Sequence, residues 1–111
     1  MFENYNQTSK RTIKEGITTE GMNFKPLKDF CGKELVVDGF FFTEGRYGKQ
    51  AVVIADGFKI NLPKRYVDIF TKIRDDQEQL DAVLAGHMAL TNIRMLDAKE
   101  GKTAAFDFKD I

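Results

Sequence analysis

The chain has 111 residues, with 42% hydrophobic and 31% charged positions, which suits one soluble globular domain with a modest core. Seventeen basic residues balance seventeen acidic ones, and no block of like charge stands out, which argues against purely electrostatic binding to a nucleic-acid duplex. No apolar run approaches the roughly 18 residues of a membrane helix, and the polar start "MFENYNQTSKRTIKEG" does not read as a secretory signal.

Residues 1–22 lack hydrophobic periodicity and read as a polar, mobile or loosely docked arm. Residues 23–111 read as a single domain. It begins with "GMNFKPLKDFCG", where Phe24, Leu27 and Phe30 recur at intervals of three and Pro26 limits any helix to a short packed turn. Cys31 is the only cysteine, so no intrachain disulfide forms, and a cytoplasmic setting is expected. With no motif around it, Cys31 reads as a buried, inert thiol.

Strand signals begin at "KELVVDGFFFTE", residues 33–44. Side chains alternate between faces in a strand, which groups Leu35, Val37 and Phe41 on one face and Val36, Asp38, Phe40 and Phe42 on the other. Asp38 suggests that the second face starts in solvent, leaving Phe40 and Phe42 free to stack on a ligand. The other reading is that a bend at Gly39 lets both faces be buried. "EGRYGK" forms a turn and "QAVVIA" (50–55) a second strand. Asp56-Gly57 is a strong hairpin signal, and "FKINL" (58–62) is a third strand that places Lys59 and Asn61 on its outer face.

Pro63 opens a helical stretch carrying Tyr66, Ile69, Phe70 and Ile73. Asp75, with Glu78 three residues on, can cap a second stretch that Gly86 closes, giving two short helices or one bent one. "HMALTNIRML" (87–96) and "TAAFDFKDI" (103–111) read as two further strands around the turn "AKEGK".

Three meandering strands, a helical segment and a final two-stranded hairpin give a mainly β chain. This order resembles the oligonucleotide/oligosaccharide-binding (OB) barrel, a five-stranded fold whose glycine-bent first strand serves both sheets and whose helix lies between strands three and four. The resemblance spans residues 33–111. It is similar in particular to the single-stranded DNA-binding OB domains of the small phage and mobile-element kind. It implies sequence-tolerant binding of single-stranded DNA in replication or recombination, and a homo-oligomer, because linked small grooves gain avidity.

On that resemblance, the loop between the first two strands and the last hairpin flank a groove. Bases would stack on Tyr47 and on Phe40 or Phe42, while Arg46, Lys49, Lys59, Lys99 and Lys102 follow the backbone. Replication or recombination proteins are further expected partners, and no membrane, cofactor or metal is expected.

"GRYGK" lacks the P-loop pattern, and His87 has no second histidine or cysteine to share a metal, so an enzyme is the least favoured class. The alternative is a protein-interaction module on the same barrel, without nucleic-acid binding. A third reading is an unrelated small α+β fold sharing the element order. In either case Arg46, Lys49, Lys59, Lys99 and Lys102 are ordinary solvated side chains.

Overall fold

The computed structural model describes residues 11–46, 48–99 and 101–111. Among these residues seven strands and two helices follow in chain order: β1 (Phe24–Pro26), β2 (Leu35–Val36), β3 (Gly39–Gly45), β4 (Gly48–Ala55), β5 (Phe58–Asn61), α1 (Val67–Asp75), α2 (Gln77–Leu84), β6 (Met88–Ala98) and β7 (Gly101–Asp110). Short 3-10 turns at Leu27–Phe30 and Lys64–Tyr66 precede β2 and α1. The strands form a four-stranded sheet ordered β1-β5-β4-β3 and a three-stranded sheet ordered β2-β6-β7. The fold is therefore mainly β, and the two helices come after β5.

One stretch of chain belongs to both sheets. The Val37 N–H donates to the Met88 carbonyl of β6 at 3.0 Å, and the next amide, Asp38, donates to Ile54 of β4 at 2.7 Å. The change of partner between neighbouring residues also breaks the side-chain alternation. Leu35, Val37 and Phe40 are all buried, so the inward phase slips by one residue across Asp38 and Gly39. The face assignment drawn from strict alternation is corrected accordingly. Phe40 joins Leu35 and Val37 in the core, and Phe41 lies half-buried on the opposite face.

The sheets do not close into a five-stranded barrel. The free edge of β5 is taken by β1, which pairs parallel to it with Phe24 opposite Lys59 and Pro26 opposite Asn61. Three residues carry too little periodicity to be read as a strand. The gap toward β7 is bridged by side chains instead. Tyr66 Oη accepts from the Phe106 N–H at 3.2 Å, Arg65 donates to the Ala104 carbonyl and, at 2.9 Å, to Thr103 Oγ1. The Tyr66 ring stacks on Phe106 with centroids 4.3 Å apart.

The β4–β5 hairpin turns at Asp56 (φ 52°) and Gly57 (φ 77°), the paired left-handed conformation of a type I′ turn. The extended Asp76 separates the helices, and its Oδ1 accepts from the Gln79 N–H at 3.1 Å, so the cap falls one residue later than Asp75. Phe70 packs on Phe40 at 5.1 Å between ring centroids. In β6, Asn92 adopts φ 52° where the pairing with β7 shifts between Thr91 and Arg94, a bulge that turns Ile93 inward. Cys31 is exposed rather than buried, because it sits in the turn that follows Phe30.

Residues 11–23 are tied to both edges of the larger sheet. The Phe40 N–H donates to Thr12 O at 2.9 Å and Lys14 N–H to Asp38 O at 2.7 Å, along β3. At the other edge the Lys59 N–H donates to Asn23 O at 3.0 Å. The segment between these ties must cross a sheet face. Val52 and Ile54, on the face of β4 turned away from the core, have no exposure at all. Among the described residues, no helix is long and apolar enough to cross a membrane.

Candidate functional site

Strand register decides which of the candidate residues share a face. Opposed residues in a sheet point the same way. Phe24, Lys59 and Ile54 therefore form one row on the outer face of the larger sheet, and Pro26, Asn61, Val52 and Phe41 form the next. Phe24 is 51% exposed, and Lys59 Nζ stands 4.7 Å from its ring centroid. A cation over an exposed aromatic face contributes about 0.5–1 kcal/mol, weak enough for a ligand ring to replace it.

Beside these rows, a groove of about 390 Å³ runs between the ends of β1 and β5 and the start of β7. Gln50 and Asn61 line one wall, Met95 and Lys102 the other, and Lys28 stands at the β1 end. The Gln50 side-chain amide donates to the Leu62 carbonyl at 2.9 Å, which holds its position at the groove wall. Sequence separation between these groups is large. They meet because β1 occupies the β5 edge and leaves a cleft, not a ladder, toward β7.

The remaining candidates lie elsewhere. Phe40 is completely buried, so it has no face for a base and is corrected to a core residue. Phe42 is half-buried on the core side of β3, the face opposite Phe41. Lys49 Nζ lies 4.5 Å from its centroid and the Arg74 guanidinium of α1 lies 5.4 Å away, so Phe42 is bracketed by two cations of its own chain. Arg46 is exposed at the β3–β4 turn. Tyr47, the leading stacking candidate, lies outside the described residues. Lys99 is exposed in the turn after β6 and does not line the groove.

The structure thus gathers Lys59 and Lys102 around β5 and separates them from Phe42 and Lys49, which sit at the helix side. Phe24, Phe41, Lys28 and Gln50 join the outer face and groove without having been singled out from the sequence. Phe41 had a usable signal, since it must oppose Phe40, but the slip at Gly39 reversed which face was core. Phe24 had none, because its strand is too short to show a pattern.

Two carboxylates away from the groove, Glu34 and Asp107, are held below their ordinary pKa. A hydrogen bond from Lys109 holds the Glu34 carboxyl below its ordinary value, and one from Asn92, helped by the Arg94 charge, does the same for Asp107. His87 Nδ1 lies 3.0 Å from the Ile111 carbonyl. Among the described residues no three His, Cys, Asp or Glu side chains gather as a metal site would require. In comparisons with known proteins, no family model, curated protein or solved structure matches the chain.

Proposed function

We propose that the chain binds single-stranded DNA without sequence preference, on the open β1–β5 side of the larger sheet and in the groove beside it. The carrying observation is the Phe24–Lys59 pair, an exposed ring under a cation, next to a cleft flanked by Lys28 and Lys102. Stacking on a ring and contact with phosphates are the two interactions that sequence-tolerant strand binding requires. The sharing of residues 35–45 between two sheets supports reading the fold as an opened relative of the OB barrel, in which this face is the ligand face. A site built from few cations and some aromatic area suits a chain of zero net charge. A role in replication or recombination, without catalysis, follows from that reading.

The test is fluorescence anisotropy with a labelled single strand of about 30 bases, against a matched duplex and an RNA strand. Preference for the single strand, weakened by salt and by Phe24→Ala or Lys59→Ala, supports the proposal. No binding at micromolar protein in low salt overturns it.

A second reading, a protein-interaction module, is favoured by a different surface. Ile69 of α1 and Phe108 of β7, each 40% exposed, border an apolar depression of about 260 Å³ on the helix side.

A further inference from the structure

The two halves of β7 have different edges. β7 is the outermost strand of its sheet, and its outward backbone groups belong to every second residue. The Ile111 N–H donates inward to His87 O, and the Phe106 N–H donates outward to Tyr66 Oη. Odd-numbered residues at this end of β7 therefore bond to β6, while Phe106, Phe108 and Asp110 face away from it. In the first half, Arg65 donates to the Ala104 carbonyl and Tyr66 accepts from the Phe106 N–H. In the second half, the N–H and C=O of Phe108 and Asp110 have no hydrogen-bond partner among the described residues, and residues 107–110 are all exposed. An open edge of this kind is a template for another strand.

We propose that the second half of β7 pairs antiparallel with the same segment of a second copy of this chain, about a two-fold axis through Phe108. The charge pattern selects both the occupant and the register. A strand pairing with itself about Phe108 sets Asp107 opposite Lys109 of the other copy, twice, and Phe108 opposite itself. Moving the axis to Lys109 would set Lys109 against Lys109, and like charges directly opposed are destabilising. Phe108 faces outward, so the axis places a hydrogen-bonded pair at its centre. Asp110 N–H then meets the free Phe106 carbonyl of the other copy. Phe108 and Ile69 are exposed and border one depression, and pairing sets the Phe108 side chains of the two copies beside each other, which removes apolar surface from water. Asp107 keeps Arg94 and Lys109 keeps Glu34 as neighbours within each copy, so the cross-pairs extend two existing ion pairs. The inference stands independently of nucleic-acid binding.

Sedimentation equilibrium on the full chain tests it. The wild-type protein is expected to reach twice the chain mass at micromolar concentration. Asp107→Lys and Lys109→Asp, each alone, oppose like charges across the axis and shift the protein to monomer. An equimolar mixture of the two variants opposes unlike charges at both positions and recovers the dimer. A monomeric wild type, variants that dimerise as the wild type does, or a mixture that stays monomeric overturns the proposal. If either variant fails to fold, Phe108→Cys in a Cys31→Ser background replaces the mixing test. Paired residues on the axis lie about 5.5 Å apart between Cα atoms, within disulfide reach. Rapid cross-linking on oxidation, absent from a Lys102→Cys control, is the expected result, and equal cross-linking of the two or none at all sinks the proposed register.

Discussion

Gly39 lies directly beneath the backbone of Ile13: a Cβ built on it would stand 2.5 Å from the Ile13 Cα and 2.7 Å from the Thr12 carbonyl oxygen. The obstructing atoms are main chain, which cannot rotate aside. The glycine's role at this position is thus to admit the arm onto the edge of β3, where Ile13 bridges to it. Gly39→Ala is expected to lower stability by about 1–3 kcal/mol, the usual cost of overpacking, and to loosen residues 11–23. Urea denaturation and limited proteolysis at Arg11 and Lys14 read the two effects. An unchanged midpoint with an unchanged cleavage rate would contradict this account.

The seam between the sheets depends on one hydroxyl. Tyr66→Phe keeps the stacking on Phe106 and removes the acceptor of its buried N–H. An orphaned buried donor costs about 1–3 kcal/mol, and that loss is expected in the free energy of unfolding. Hydrogen exchange at the Phe106 amide should accelerate more than at the neighbouring β7 amides. Uniform exchange along β7 would argue that the seam is held by ring packing alone.

Phenylalanine-to-alanine substitutions should divide into two classes. Phe40→Ala empties a completely buried site and is expected to cost about 3–5 kcal/mol in stability. Any loss of DNA affinity in that variant reports unfolding. Phe24→Ala removes an exposed ring, so its melting temperature should stay close to that of the wild type while affinity for the single strand falls several-fold. The reverse pattern would place the ligand face elsewhere.

Acid should weaken the β2-β6-β7 sheet selectively. The Glu34 and Asp107 carboxyls are held below their ordinary values, so each binds a proton less readily folded than unfolded. Their contribution to stability is present above the unfolded carboxylate pKa and is lost as pH falls through the lower folded value. Lys109→Met removes the main cause at Glu34 and Asn92→Ala the main cause at Asp107. Each variant is expected to flatten the decline of melting temperature between neutral and acidic pH. Both side chains are exposed to solvent, so the effect is small and fades in high salt.

The local signals in the chain located its elements well. Asp56-Gly57 places a hairpin because only left-handed conformations join strands so tightly, and these two residues adopt them at low cost. Phe70 and Ile73 fall inward at helical spacing, and a glycine within a long β-forming run marks a break. Such features depend on backbone conformation over a few residues, which composition and spacing determine by themselves.

Which face each element presents was decided by partners far away in the chain. Phe40 became core because the amides of Val37 and Asp38 bond to different sheets, so alternation does not carry across them. Phe24 and Lys59 share a face because a three-residue strand pairs parallel to β5, a contact that leaves no periodic trace. Lys102 reaches the groove only because Arg65 and Tyr66 bridge β7 to the turn after β5. The kinds of element were thus written locally, while register, burial and the gathering of the groove arose from long-range pairing, where the partners' identities are set by three-dimensional packing.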